Sequence, residues 1–326
     1  MLKSEPGASA AVRVNGALYW SSVDPSADAV VPIYSITKTF TAICALLLKE
    51  RGALDLDRPA RRWLPDVAIP DAITVAHLLR HASGLREYGP LSSYHDAVRS
   101  HPDTPWTRQQ FLDRVLAGGL LFAPGTGWSY SNVGYMLAIE ILERVGDRGF
   151  ADLIRDLIVA PLGLRQTFAL ERPEDLLRCA PGFGTELTAD RRAVDVRGLY
   201  HPGWCAPRVL ASTAAETTLV FDTLFAGDLL QPDTLAEMLT TVPLPLEHGD
   251  TEPIGSGLGI YSAPANDARS FAHGGGGPGY SLWVTVRPGT RIGRVTIANF
   301  VTSSVSPGAG PDGVSALFAS VADGSS

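Results

Sequence analysis

Strand-forming segments at both ends of this 326-residue chain, separated by a helix-rich middle, predict an α/β fold of the α+β kind. The expectation is one antiparallel sheet flanked by helices, with a mostly helical lobe inserted into it. Residues 1–60 and 212–326 would build the sheet lobe and 61–211 the helical lobe, leaving a cleft between them. Two patterns carry this reading. Apolar residues alternate around Asn15-Gly16 near the start and again after Gly255, whereas helical periodicity and Pro/Gly punctuation fill the interval.

Taken in order, Ala10–Val14 and Ala17–Trp20 read as a hairpin closed by Asn15-Gly16, a dipeptide suited to a tight two-residue turn. From Ser35 to Arg51 the residues Ile36, Phe40, Ile43, Leu47 and Leu48 recur at helical spacing, and Gly52 stops the run. Val75–His81, Thr107–Leu116, Val133–Val145 and Phe150–Ile158 are the clearest helices of the middle. Pro124-Gly125, Pro161-Leu162-Gly163 and Pro181-Gly182 punctuate it. A helix over Ala214–Phe225 opens after Ser212-Thr213, and a shorter one covers Pro232–Leu239. Strands follow at Gly257–Tyr261, Tyr280–Val286 and Arg294–Phe300, with Pro288-Gly289 turning between the last two. Asp312–Ala322 reads as a closing helix.

Composition excludes several classes of function. Apolar residues at 45% and charged residues at 19% describe a chain that buries a core rather than a disordered one. A net charge of −7 with no basic block leaves nothing to neutralise phosphates, so nucleic acid is not the expected partner. The strongest apolar run, Ala42–Leu48, is too short to span a bilayer, so no membrane partner is expected. The segment Met1–Gly7 lacks the apolar core of a signal peptide, so the expected location is cytoplasmic. Cys44, Cys179 and Cys205 are odd in number and widely spaced, which suits reduced thiols. His77 and His81 stand at a metal-capable spacing, but Leu78-Leu79-Arg80 between them lacks the zinc-protease glutamate and no third ligand is apparent. Neither metal nor cofactor is expected.

The most informative feature is Ser35 with Lys38. Three residues apart on a helix, their side chains share one face. A lysine in a water-poor pocket can lose its proton and so activate a serine hydroxyl. A Ser-x-x-Lys match arises roughly once by chance in a chain this long. The lysine sharpens it: of 27 basic residues only Lys3, Lys38 and Lys49 are lysine, and arginine cannot act as a base near neutral pH. Two further clusters follow. Tyr130 and Asn132, two apart in the Gly-rich loop entering the Val133 helix, can point the same way and offer a proton-relaying phenol and a carbonyl-binding amide. They can equally be a helix cap with a packed tyrosine. His273 opens the run Gly274–Gly277 just before strand-forming Tyr280–Val284, and glycines there mark close approach of a ligand or of another backbone.

Together, Ser35-Ile36-Thr37-Lys38, Tyr130-Ser131-Asn132 and His273-Gly274-Gly275 resemble, in order and separation, the three motifs of the serine penicillin-recognising enzymes. That family includes class C β-lactamases, D-alanyl-D-alanine peptidases, D-aminopeptidases and related carboxylesterases. His81-Ala82-Ser83-Gly84-Leu85, Pro161-Leu162-Gly163-Leu164 and Gly277-Pro278-Gly279-Tyr280 add to the likeness, which runs from about residue 10 to the C-terminus. The resemblance implies a β-lactamase/transpeptidase-like fold with the active site between its lobes. It implies Ser35 as acylated nucleophile, Lys38 as general base and Tyr130 as proton relay. Asn132, His273, Gly275 and Gly276 would bind substrate, with the oxyanion held by the N–H groups of Ser35 and Gly276. Histidine at 273, where class C β-lactamases carry lysine, is more similar to the peptidases and esterases. Trp128, Tyr280 and Trp283 flank the motifs and suit either an apolar acyl pocket or the core. The expected activity is that of a serine hydrolase acting on a small ester or amide through an acyl-enzyme. An acyltransferase sharing that intermediate, or a non-catalytic binding domain, are the alternatives, and the oligomeric state is unread.

Overall fold

Asn15 and Gly16 both take left-handed backbone conformations, with φ of 48° and 90°, so the turn twists in the sense that keeps its two strands paired. The computed structural model describes residues 8–23, 25–245, 254–265, 268–303 and 311–322. Strands β1 (Ala8–Val14), β2 (Ala17–Ser21) and β3 (Val31–Pro32) lead to a 3-10 turn, Tyr34–Ile36, and to helix α1 (Thr37–Glu50). Helices α2 (Val75–Leu79), α3 (Ser92–Ser100), α4 (Arg108–Leu116), α5 (Asn132–Gly146) and α6 (Phe150–Ile154) follow, and α6 runs on into a π-helical turn, Arg155–Val159. Short elements come next: β4 (Phe168–Leu170), α7 (Pro173–Leu176), β5 (Phe183–Gly184), β6 (Val194–Asp195) and β7 (Val209–Ser212). Then come α8 (Ala214–Ala226), α9 (Pro232–Leu239), β8 (Val242–Pro243), β9 (Gly255–Ser256) and β10 (Tyr261–Ala265). β11 (Ala268–Gly277), β12 (Tyr280–Thr290), β13 (Gly293–Val301) and α10 (Pro311–Ala322) complete the chain.

Among the described residues the main sheet has eight strands in the order β2-β1-β13-β12-β11-β10-β9-β8, every neighbouring pair antiparallel. The N-terminal hairpin and the C-terminal strands therefore meet in one sheet, as the two-ended pattern predicts, with Ala8 opposite Val301 and Val14 opposite Val295. Strand alternation divides the core. Ala10, Val12, Val295 and Ile297 pack with Val314, Leu317, Phe318 and Val321 of α10 on one face. Ala11, Ala298 and Phe300 face the larger core that α1, α5 and α8 share. Asp222 of α8, almost fully buried, fastens that helix to β13 through a two-point contact with Arg294 at 2.9 Å and a bond from Thr296 Oγ1. Among the described residues no helix is long and apolar enough to cross a membrane.

Three expectations are corrected. Gly257–Ile260 is a bend and not a strand: Leu258 N–H donates to Met238 O, Gly259 N–H to Leu79 O, and Thr39 Oγ1 to Gly259 O. Those backbone groups bond to three helical segments instead of to a neighbouring strand, and the φ of 66° at Gly259 lets the bend touch the Lys38 carbonyl. Pro288-Gly289 does not turn the chain; β12 runs past it with a register shift, and the turn falls at Arg291-Ile292. Helix α2 stops at Leu79, before His81, whose φ of 59° cannot continue a right-handed helix. Helix α3 was not legible because its sequence is polar and contributes one buried residue, Val98.

Candidate active site

Ser35 sits in the 3-10 turn that feeds α1, and Lys38 sits in the first turn of that helix. Ahead of them Tyr34 is held in a left-handed conformation, φ 41°, a strain of roughly 1–2 kcal/mol for a bulky side chain. The strain is retained because the ring is buried and its hydroxyl donates to Pro278 O at 2.9 Å. Gly277 makes room: a Cβ there would lie 2.3 Å from a Tyr34 ring carbon. Lys38 is 1% exposed, and its Nζ lies 3.1 Å from Ser35 Oγ and 2.8 Å from Asn132 Oδ1. Burial pulls the ammonium down to about 8, with the charges of Glu87 and Cys205 opposing the fall.

Ser131 is extended, φ −142° and ψ 110°, so its neighbours Tyr130 and Asn132 project together while Ser131 turns away. The Ser131 hydroxyl accepts from Gly134 N–H and caps α5, so cap and polar pair coexist in one tripeptide. Tyr130 Oη stands 2.7 Å from Ser35 Oγ. Burial pushes its phenol above the usual range, offset in part by the bond to Ser35. Amine and phenol are thus shifted in opposite directions, and the amine is the group that sheds its proton first as pH rises.

The glycine run lies in β11, not in a turn. Pairing with β10 ends at Tyr261 opposite Ala272, so His273–Gly277 bond to β12 on one side and leave the other edge toward Ser35. Along that edge the three predicted residues differ. Gly276 lines the cavity, and a Cβ there would meet nothing within 4 Å. Gly275 instead abuts the Ile33 carbonyl, 2.4 Å from its would-be Cβ. His273 is buried behind the wall, its Nδ1 2.7 Å from Gly274 O and its ring centroid 5.2 Å from that of Tyr261. Burial first, and the Lys38 charge second, lower its imidazole to about 3.

A cavity of about 400 Å³ opens over Ser35, Lys38 and Asn132 and runs between Tyr34, Tyr88, Tyr94, Tyr200 and Tyr280. Of the three flanking aromatics Tyr280 lines it. Trp128 packs edge-on to His81 and Tyr261, and Trp283 joins the cluster under α10, so both belong to the packing and not to the cavity wall. Cys205 lines it too; all three cysteines are free thiols and Cys44 is buried in the core.

Two residues escaped the sequence reading. His81 stacks on Tyr130 with centroids 4.4 Å apart. Its Nδ1 accepts from Ser131 N–H, which places the imidazole hydrogen on Nε2, and burial then the Lys38 charge hold it well below its ordinary pKa. Glu87 accepts from both the backbone and side-chain nitrogens of Asn132. His81 belongs to the His81–Leu85 segment, and its spacing to His77 points to metal chemistry rather than to Tyr130; Glu87 carries no signal in the sequence.

With the geometry established, comparison with known proteins places it. The Beta-lactamase family model matches residues 2–314. A penicillin-binding protein of Bacillus subtilis is 28% identical over 265 residues, covering 78% of this chain and 57% of that protein. Esterase EstB of Burkholderia gladioli is 32% identical over 163 residues, 45% of this chain and 40% of its own. The chain thus spans about half the length of these two relatives. Among solved structures, a D-stereospecific amidohydrolase from Streptomyces superposes with a TM-score of 0.82 at 29% identity, covering 96% of this chain and 94% of that one. The fold is therefore that of the β-lactamase/transpeptidase enzymes, and this chain belongs to the beta-lactamase family.

Proposed function

We propose that this protein is a serine hydrolase that cleaves a small ester or amide through an acyl-enzyme on Ser35. The observation that carries the reading is the joining of Ser35 Oγ, Lys38 Nζ, Tyr130 Oη and Asn132 Oδ1 by contacts of 2.7–3.1 Å beneath an open cavity. Relatives named as an esterase and an amidohydrolase support the substrate class. The cleft lies between a sheet lobe, 1–60 with 212–326, and a helical lobe, 61–211.

In this reading the neutral Lys38 amine takes the Ser35 proton as Oγ attacks the substrate carbonyl. The N–H groups of Ser35 and Gly276 receive the developing oxyanion. Tyr130 passes its proton to the departing alcohol or amine, and the Lys38 ammonium returns one to the phenolate. Water then repeats the sequence on the acyl-enzyme. His273 acts by keeping a buried, neutral imidazole near Lys38, and Gly275 lets β11 close onto the Ile33 carbonyl. The tyrosine-rich cavity suits a small apolar or aromatic acyl group.

The test is labelling with a fluorophosphonate, with turnover of p-nitrophenyl esters and amino acid amides measured alongside. Ser35→Ala should lose both; a variant that still turns over substrate at the parental rate would sink the assignment and leave a binding domain or another site.

A further inference from the structure

Glu87 accepts four hydrogen bonds, two from Asn132 and one each from Tyr88 and Gly89. Its Oε2 accepts from Asn132 N–H at 2.5 Å, and its Oε1 accepts from Asn132 Nδ2 at 3.1 Å and from the N–H groups of Tyr88 and Gly89 at 2.9 Å each. Asn132 is the first residue of α5, where N–H groups lack intrahelical partners and a negative charge is favoured. Tyr88 and Gly89 line the substrate cavity. One carboxylate thus ties together a helix start, the cavity wall and the amide that touches Lys38.

Resting on the function proposed above, we propose that Glu87 is the positioning residue of this site: it holds the Asn132 amide in the orientation that presents Oδ1 to the Lys38 amine. A carboxylate has no hydrogen to give, so the amide atom facing it must be the nitrogen, and the oxygen is left facing Nζ at 2.8 Å. The consequence reaches the nucleophile. A neutral amine has two hydrogens and one lone pair. With Asn132 accepting one hydrogen, the lone pair is free for the Ser35 hydroxyl 3.1 Å away. A flipped amide would donate into that lone pair and occupy the base.

Glu87 also acts through charge. Around Lys38 stand the Ser35 and Tyr130 hydroxyls, the Asn132 amide and the Tyr135 ring, with His81, His273 and Cys205 in charge range. Glu87 is the leading group that favours the ammonium against burial. Its removal therefore lowers the pH at which Lys38 becomes neutral.

The experiment compares Glu87→Gln and Glu87→Asp with the parent, using the burst of p-nitrophenol from a p-nitrophenyl ester across pH and normalising to titrated active sites. In parallel, lysine labelled with 13C at Cε is titrated by NMR; with three lysines in the chain, Lys38 is assigned by its loss in Lys38→Met. Glu87→Gln should lower acylation per site roughly 10- to 100-fold at the plateau, while the acid limb and the Lys38 titration both move to lower pH. Glu87→Asp, which keeps the charge but withdraws it, should lower the plateau with a smaller displacement. A part played only in folding would reduce the number of active sites and leave rate and midpoint per site at parental values, and that result overturns the proposal. If Glu87→Gln yields no folded protein, Glu87→Asp decides by the same readouts. Absence of a Ser35-dependent burst in the parent would fell the hydrolase reading instead, and the Lys38 NMR midpoints would still judge Glu87.

Discussion

Tyr130 Oη rests 2.7 Å from Ser35 Oγ although 95 residues separate the two along the chain. Beside the contact the His81 ring stacks on the phenol, and Ser131, capping α5 and bonded to His81, turns away so that Tyr130 and Asn132 face α1. Around this contact burial acts oppositely on its neighbours, lowering the lysine and raising the phenol.

The pH profile follows. Lys38 must be neutral to accept a proton, and its value is about 8, so acylation should rise about tenfold per pH unit below 8 and level above it. Tyr130 stays protonated throughout, its phenol being raised. Pre-steady-state bursts measured from pH 5.5 to 9.5 check this; an acid limb centred below 6 would assign the base to another group.

Lys38 should be a residue that trades stability for activity. Its folded value of about 8 lies below the ordinary 10.5, so the folded state binds the proton less well than the unfolded one, at a cost near neutral pH of about 3 kcal/mol. Lys38→Met should raise Tm by several degrees and abolish acylation. Lys38→Arg keeps the charge but cannot deprotonate, and should be equally inactive without the gain in Tm. Differential scanning calorimetry and burst kinetics on both variants read the two effects separately.

Loss of stability in acid has a separate source in His273. Its folded value is depressed to about 3 from 6.5, so between those limits the unfolded state holds the extra proton. Stability is full above 6.5 and falls as pH drops, by about 1.4 kcal/mol per pH unit for this group. Urea titrations at pH 7 and pH 5 should show a smaller difference for His273→Gln than for the parent.

Adjacent glycines should respond differently. Gly277→Ala places a methyl 2.3 Å from the Tyr34 ring, which must move and take the strained approach to Ser35 with it; acylation should fall about tenfold or more. Gly276→Ala projects into open cavity and should fold as the parent does, with its effect confined to KM for bulky acyl groups. Steady-state kinetics over an ester series of rising acyl length distinguishes them.

Much of this molecule is local. The turn chemistry of Asn15-Gly16, the helical spacing after Ser35, the Thr213 cap of α8 and the i, i+3 placement of Ser35 and Lys38 each depend on residues a few positions apart, so periodicity and propensity expose them. The antiparallel sheet also followed from its two ends. Tertiary structure decided the rest. It moved Gly257–Ile260 out of the sheet by bonding its backbone to Met238, Leu79 and Thr39, and it sent Trp128 and Trp283 into packing while Tyr88, Tyr94 and Tyr200 formed the cavity. It brought Glu87 to Asn132 through two hydrogen bonds and His81 to Tyr130 through a ring contact, both between segments distant along the chain. Such contacts have no period along a chain: one carboxylate among 34 acidic residues carries no mark until folding sets four N–H groups around it.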